Sequence, residues 1–163
     1  MYRIGNARDI HKLVEGRKLF LGTVEIPFEK GLLGHSDGDC VTHAIVNAII
    51  GAMGLGDIGK FFPDNDPKYK DISSSYFLQE IKKVLLQNKY EIVNIDVIVM
   101  LEKPILRPYI DKMCENIAGY LDINKDQVNV KATRGEGLGF IGEGLGIEAS
   151  AIVLLKKCGL MKL

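Results

Sequence analysis

The chain has 163 residues, of which 47% are hydrophobic, and its 21 Lys and Arg balance its 21 Asp and Glu. This length and composition fit one domain with a substantial core, spanning residues 1–163. A net charge of zero gives no overall field that would attract nucleic acid or a membrane surface, so we expect neither partner. The apolar runs are too short to span a bilayer, no signal-peptide pattern opens the chain, and three widely spaced cysteines favour reduced thiols in an intracellular or organellar compartment.

All three histidines lie within residues 1–43, and each has an acidic residue two to four positions away. Residues Met1–Gly5 predict a short strand, and Asp9 and His11 follow it. Residues two apart in extended backbone share one side, so the carboxylate and the imidazole converge, and Ile10 is expected to turn inward. A surface pair is the simpler interpretation of this Asp-x-His motif on its own. Two short strands are predicted on either side of Gly22.

The segment Gly31–His43 leads into an apolar helix that is predicted to begin near Asp39. Ser36 and Asp39 have the spacing of a capping box, with Asp in place of the usual Glu. His43 then lies one turn from Asp39, which is typical of a metal ligand held by a neighbouring carboxylate. A capped helix with one polar residue at its buried end explains the same pattern equally well.

The middle of the chain alternates between irregular and regular segments. The Gly-, Asp- and Pro-rich stretch Gly54–Pro67 is predicted to be a loop, either a mobile cover over a ligand or a plain surface connection. A helix is predicted from Ser73–Ser75 to about Lys89, followed by a central strand over Tyr90–Leu101. The segment Glu102–Pro108 interrupts the regular structure.

The last third predicts a helix over Tyr109–Gly119, a strand over Gln127–Ala132, a glycine-rich loop over Thr133–Gly146 and a closing strand over Ile147–Lys156. The element order predicts an α+β fold: a mixed sheet of four to five strands with helices on one face, in two layers.

Three candidate ligands, Asp9, His11 and His43, offer the imidazole and carboxylate donors that suit Zn²⁺. Three protein ligands leave one tetrahedral position open for water or an anionic oxygen. His35 and Ser36 precede a helix N-terminus, which favours phosphate, while Thr133 and Glu136 offer oxygens for a harder ion such as Mg²⁺. Together these residues indicate metal-assisted phosphate chemistry.

The motifs RIGNARDIH, GLLGHSDGDCVTH, LGDIGKFFPDNDP and VNVKAT, with the run that starts at Glu136, resemble the 2-C-methyl-D-erythritol 2,4-cyclodiphosphate synthase family in order and spacing. The resemblance covers nearly the whole chain. It implies a phosphorus–oxygen lyase of the non-mevalonate isoprenoid pathway, which converts 4-diphosphocytidyl-2-C-methyl-D-erythritol 2-phosphate into the cyclic diphosphate and releases CMP. It also implies a homotrimer whose sheets face the threefold axis, with active sites between subunits.

The resemblance implies Zn²⁺ at Asp9, His11 and His43, and Mg²⁺ or Mn²⁺ at Glu136. The residues that it implies in catalysis are His35, Thr133, Arg134 and Glu136. The residues that it implies in substrate binding are Asp9, Ile10, His11, His35, Ser36, Asp57, Ile58, Gly59, Phe62, Pro63, Asp64, Asn65, Asp66, Leu101, Glu102, Lys103, Pro104, Ile105, Leu106, Arg107, Thr133, Arg134, Gly135, Glu136 and Phe140. Among these, His35 and Ser36 would meet the 2-phosphate, Asp57–Gly59 the erythritol part, Phe62–Asp66 would form a mobile cover, and Leu101–Arg107 with Thr133–Glu136 would bind the cytidine phosphate from the neighbouring chain.

Several positions depart from the family pattern without removing a metal ligand: Ala7, Arg8, Asn47, Arg134, Gly135, Glu143 and Leu145. Arg134 and Gly135 put one transition-state contact in doubt. Glu143 and Leu145 put in doubt the binding of an isoprenoid diphosphate in a cavity at the trimer axis.

Two other functions stay open on the sequence alone. One is a zinc-dependent phosphoesterase, in which water replaces the 2-phosphate as nucleophile. The other is a catalytically silent trimer that binds metal or nucleotide. The compartment is expected to be the cytoplasm, or the plastid stroma if the source is a photosynthetic or apicoplast-bearing eukaryote.

Overall fold

A computed structural model describes residues 1–158 of the chain. Its strands are β1 (Tyr2–Glu15), β2 (Leu19–Leu21), β3 (Val24–Ile26), β4 (Lys30–Leu32), β5 (Tyr90–Met100), β6 (Val128–Thr133) and β7 (Gly146–Lys157). Its helices are α1 (Cys40–Met53), α2 (Ile58–Phe61), α3 (Ser75–Gln87), α4 (Arg107–Leu121) and α5 (Gly139–Gly142). None of the helices in this part of the chain is long and apolar enough to cross a membrane.

Five strands form one mixed sheet in the order β4-β1-β7-β5-β6, and β2 and β3 form a separate hairpin. The long strand β7 lies at the centre, antiparallel to both β1 and β5, whereas β5 and β6 are parallel. The predicted mixed sheet of four to five strands is therefore confirmed at five.

The helices α1, α3 and α4 cover one face of this sheet, so the fold has two layers. On β5 and β7 the residues that face the helices are Ile95, Val97, Val99, Ala149, Ala151 and Val153, all at most 1% exposed. The opposite face carries apolar side chains that are partly exposed in the single chain, among them Ile4, Ile10, Ile98 and Ile152. Alternation along each strand thus separates a packed core from an open sheet face.

A close contact joins β1 to α1. A Cβ atom placed on Gly5 would lie 1.9 Å from the carbonyl oxygen of Ala48 and 2.8 Å from the Ala52 Cβ, so only glycine fits there. Small residues on both elements let strand and helix approach closely enough for short side chains to meet across them.

Three local expectations are wrong. The segment Gly54–Pro67 was expected to be an irregular loop, but it contains the short helix α2. The first strand was expected to stop at Gly5 but continues to Glu15, because β7 pairs with it from Tyr2 to Lys12 and β4 from Leu13 onward. Ile10 was expected to turn inward but is 43% exposed. Since Asp9 and His11 face the helices, strict alternation places Ile10 on the open sheet face.

Candidate metal centre and nucleotide cleft

Three side chains from β1 and α1 converge beneath the Gly34–Asp39 loop. Asp9 Oδ2 lies 2.9 Å from His11 Nε2 and 3.1 Å from His43 Nδ1. One potential ligand atom of each residue lies within 4.8 Å of the other two. The predicted convergence of Asp9, His11 and His43 is confirmed as geometry, and the cluster has the size of a metal site.

The hydrogen bonds of His11 fix which of its nitrogens faces the cluster. Its Nδ1 lies 2.6 Å from the carbonyl oxygen of Leu33, and because a carbonyl only accepts, Nδ1 carries the proton. In the neutral ring Nε2 then has the lone pair, and this buried atom has no partner aligned as a hydrogen bond, although Asp9 Oδ2 is close. Two lone-pair-bearing atoms facing each other at this distance repel unless a cation lies between them.

The other nitrogen of His43 points away from the cluster. Its Nε2 lies 3.0 Å from Ser74 Oγ and 3.1 Å from Ser36 Oγ, which leaves Nδ1 directed at Asp9. Imidazole and carboxylate donors directed at one point match the preferences of Zn²⁺. The donor set therefore fits a divalent metal ion.

Within the cluster, the pKa values of Asp9 and His11 are both shifted. Burial alone would raise the pKa of Asp9, but the His11 and His43 rings, when protonated, donate to its carboxylate and add positive charge, and this outweighs burial and holds the pKa well below the ordinary range. Burial alone would lower the pKa of His11, but the Asp9 carboxylate outweighs it, and the pKa of His11 is raised above 6.5. In the absence of a metal, these shifts favour a protonated His11 beside an ionised Asp9.

A cavity of about 250 Å³ opens onto these three residues. Its remaining lining consists of Leu33, Gly34, His35, Ser36, Ile58, Phe62, Asp64, Tyr69 and Phe77. Phe62 and Phe77 pack with ring centroids 4.8 Å apart, and Phe77 also meets His43 edge-on at 5.7 Å. The cavity is therefore polar on the side of Asp9, His11 and His43 and aromatic on the side of Phe62 and Phe77. This lining suits a small anionic ligand.

Residues of α2 and of the loop after it line this cavity, among them Ile58, Phe62 and Asp64. His35 Nε2 lies 3.0 Å from the carbonyl oxygen of Asp66, and the Asp71 amide donates to the carbonyl oxygen of His35. The Ile58 amide donates to Asn47 Oδ1, which ties the start of α2 to α1. The segment Gly54–Pro67 is thus anchored at both α1 and His35, and its Phe62 is buried.

A second, larger cleft of about 550 Å³ lies at the carboxyl ends of β5 and β6. Because these strands are parallel, the segments that follow them meet at one edge of the sheet. The cleft is lined by Leu101, Glu102, Pro104, Ile105, Leu106, Arg107, Ile110, Asn129, Val130, Lys131, Ala132, Thr133 and Arg134. It has no lining residue in common with the cavity at His43.

The remaining predicted residues line neither cavity: Ile10, Asp57, Gly59, Pro63, Asn65, Asp66, Lys103, Gly135, Glu136 and Phe140. Glu136 is exposed and has a positive φ of 53°, and it lies outside the metal cluster of this chain. The amide of Gly135 donates to Glu102 Oε2, which links the glycine-rich loop to the cleft.

Asp39 is a structural residue, not the carboxylate that supports His43. It is fully buried and accepts from the amides of Gly22, Thr23 and Thr42 and from the Thr42 hydroxyl. The support for His43 comes from Ser74, which the sequence indicated only as a helix cap. The two residues are 31 positions apart, and no local pattern signals their contact.

Comparison with known proteins gives a uniform result. The model of the YgbB family matches residues 2–156. A protein of Fusobacterium nucleatum named 2-C-methyl-D-erythritol 2,4-cyclodiphosphate synthase is 56% identical over 157 residues, 96% of this chain and 98% of that protein. One of the same name from Clostridium novyi is 57% identical over 155 residues, 95% of this chain and 99% of that protein.

Solved structures agree in fold. The bifunctional IspDF of Campylobacter jejuni superposes with a TM-score of 0.93 at 41% identity, covering 96% of this chain and 42% of that larger one. The Plasmodium falciparum IspF complex with CDP superposes with a TM-score of 0.85 at 37% identity and covers 97% of both chains.

Proposed function

Because the chain belongs to the 2-C-methyl-D-erythritol 2,4-cyclodiphosphate synthase family, we propose that it cyclises 4-diphosphocytidyl-2-C-methyl-D-erythritol 2-phosphate to 2-C-methyl-D-erythritol 2,4-cyclodiphosphate with release of CMP. The reaction is an intramolecular phosphoryl transfer in isoprenoid precursor biosynthesis. The 2-phosphate attacks the β-phosphorus of the CDP group, the new P–O bond closes the ring, and the bond to the CMP oxygen breaks. This places the enzyme among the phosphorus–oxygen lyases.

The observation that carries the proposal is the convergence of Asp9, His11 and His43 on one point beside a phosphate-sized cavity. These three residues would hold Zn²⁺. When bound, the ion supplies Lewis-acid and template chemistry for the diphosphate. Glu136 would hold Mg²⁺ or Mn²⁺, which proteins commonly bind through one or two carboxylates together with substrate phosphates.

The chain itself contributes mainly positioning. The nucleophile is already an anion, so a strong general base is unnecessary, and holding the two phosphates in line lowers the barrier. His35 and Ser36 would bind the 2-phosphate at the cavity mouth. Since His35 Nε2 lies against the Asp66 carbonyl oxygen, the ring also ties the cover segment to the phosphate-binding loop.

The larger cleft would take the cytidine phosphate. Arg107 and Arg134 give it positive charge, and Leu101–Leu106 supply backbone groups and apolar surface for a base. Solved relatives described as CDP complexes support a nucleotide ligand. Arg134 stands where the family pattern has a hydroxyl residue, so we propose that it contributes charge to the phosphates in place of a hydrogen bond from a hydroxyl group.

A homotrimer would complete the site. The open sheet face carries exposed Ile4, Ile10, Ile98 and Ile152, and burying it against two other copies around a threefold axis would remove these side chains from water. The metal centre and the nucleotide cleft are separate in one chain, so a neighbouring chain would bring its cleft to the metal centre. The bacterial relatives favour the cytoplasm as its compartment.

Turnover of the substrate by purified protein, followed by phosphorus NMR, tests the proposal. We expect the cyclic diphosphate and CMP from the wild type and none from His43→Ala, whereas Ser73→Ala, an exposed side chain beside α3, should behave as wild type. In ¹⁸O-labelled water the product should contain no label. Labelled phosphate products would indicate the phosphoesterase instead, and metal or CDP binding without turnover would indicate a binding module.

A further inference from the structure

A chain of hydrogen bonds leads from the metal centre to the half-buried carboxylate of Asp37, which does not line the cavity at His43. His43 Nε2 lies 3.0 Å from Ser74 Oγ, and Ser74 Oγ lies 2.5 Å from Asp37 Oδ1. The Ser74 amide donates to the other oxygen, Asp37 Oδ2, at 2.7 Å. Ser74 is fully buried. Its hydroxyl therefore has two fixed polar neighbours and no free rotation toward solvent.

The acceptor at one end of this chain sets the direction of every bond. An ionised carboxylate only accepts, so the Ser74 hydroxyl must donate its single proton to Asp37. Ser74 Oγ can then only accept from His43, which requires the proton of the neutral imidazole to be on Nε2. The His43 Nδ1 lone pair is consequently directed at Asp9 Oδ2, 3.1 Å away.

We propose that Asp37 and Ser74 are positioning residues that lock His43 in its metal-binding tautomer. The inference deepens the proposed function, because it assumes the zinc role of His43, but it concerns metal binding alone and not turnover. An orienting partner on the second nitrogen of a ligating histidine raises the basicity of the ligand and fixes the plane of the ring.

Ser36 cannot replace this pair. Its Oγ lies 3.1 Å from His43 Nε2, but it lines the cavity, where its hydroxyl is available to a bound anion. Ser74 does not line the cavity, and its hydrogen bond to Asp37 does not depend on what occupies the site. The tautomer is therefore set before substrate arrives.

The experiment is zinc affinity, measured on the full-length metal-free protein by competition with a chromophoric chelator. We expect Ser74→Ala and Asp37→Asn each to weaken zinc binding about ten-fold or more, in line with other outer partners of ligating histidines. Asp37→Asn leaves one carbonyl oxygen for three donors, so an amide N–H₂ group faces either the Ser74 amide or the Ser74 hydroxyl, and the hydroxyl is no longer held firmly as the donor. Ser74→Thr keeps the hydroxyl and should retain the affinity.

Ser73→Ala is the matched control, because Ser73 lies next to Ser74 at the start of α3 but its side chain bonds only to Ser75. Thermal unfolding of each metal-free variant separates loss of the fold from loss of the ligand. Zinc affinity of Ser74→Ala and Asp37→Asn equal to that of Ser73→Ala would overturn the proposal.

A second measurement needs no variant. Nitrogen NMR of the wild-type metal-free protein, well above the ordinary imidazole pKa, should show the His43 proton on Nε2. A proton on Nδ1 would refute the inference whatever the activity assay gives. Correct tautomer and affinity effects without turnover would leave this inference standing and reject the synthase reaction instead.

Discussion

A Cβ atom on Gly5 would lie 1.9 Å from the carbonyl oxygen of Ala48, so strand β1 and helix α1 are in close contact at this point. The same two elements carry Asp9 and His43, whose side chains meet at 3.1 Å. The glycine contact therefore sets the spacing of the metal centre as well as the packing of the core.

We predict that Gly5→Ala separates β1 from α1 and costs about 2 kcal/mol or more of unfolding free energy, as overpacking of a close contact does. Zinc affinity should fall too. Gly51→Ala is the control: it lies in the same helix with nothing within 4 Å of the added Cβ, and should stabilise by about 0.5–1 kcal/mol. Urea unfolding of the metal-free proteins measures both, and an unchanged midpoint for Gly5→Ala would contradict the prediction.

The hydrogen bonds of Asp39 lead to a second prediction about the free energy of unfolding. Both oxygens of the buried Asp39 carboxylate accept hydrogen bonds, so Asp39→Asn places an N–H₂ group opposite other donors. The substitution should lower the free energy of unfolding by about 2–3 kcal/mol. Asp57→Asn changes an exposed cap at the start of α2 and should cost well under about 1 kcal/mol, because Asn caps as well as Asp. Equal unfolding midpoints for the two variants would show that the Asp39 network is not stabilising.

The pKa shifts in the metal cluster predict how the metal-free protein responds to pH. The pKa of Asp9 is held low, so its contribution is present above the ordinary carboxyl range and is lost as pH falls through the depressed value. The pKa of His11 is raised above 6.5, so its contribution is fully present below that pH and is lost as pH rises through the raised value. The unfolding free energy of the metal-free protein should therefore decline as pH rises from 6.5 through the raised pKa of His11, and His11→Gln should remove the decline.

Zinc binding should show the opposite trend. The ion displaces the proton that His11 holds, so affinity should rise up to about ten-fold per pH unit until the raised pKa of His11 is passed. Chelator competition across this range measures the slope. A flat profile would mean that no proton leaves on binding.

The open sheet face predicts a variant that separates assembly from folding. Ile152, 53% exposed on β7, becomes charged in Ile152→Lys, which should convert the proposed trimer to monomers without unfolding them. Leu86→Lys alters an even more exposed side chain, at 66%, on the helix layer and should leave the trimer intact. Sedimentation velocity gives both masses, and a wild type that sediments as a monomer would reject the trimer.

Periodicity and capping residues were sufficient to predict most of the fold. The alternation in Tyr90–Leu101 and the apolar spacing after Asp39 each correspond to an element within about two residues, since short-range patterns decide these structures. The extent of β1 was not predictable, because it depends on pairing with β7 at the other end of the chain. Ile10 was misplaced because an apolar residue was expected to face the helices, whereas the open face of this sheet is itself partly apolar.

The candidate site also contains residues that the sequence could predict and residues that it could not. Asp9, His11 and His43 were predictable because scarce histidines beside acids carry a chemical signal of their own. The Ser74 contact was not, since it joins residues 31 positions apart and serine is common at helix starts for other reasons. Nothing in the spacing of Ser73, Ser74 and Ser75 indicates which of them faces inward; only the packing of α3 against α1 decides it.

The separation of the metal centre from the nucleotide cleft has a genetic consequence. If each active site draws one half from each of two chains, a chain that lacks the metal ligand His43 and a chain that lacks Arg107 can repair each other. Equal mixing and reassembly of the two inactive proteins should restore about a quarter of the sites, since each half is intact by chance half of the time. A gene pair with one such lesion in each copy would then support growth that neither copy supports alone.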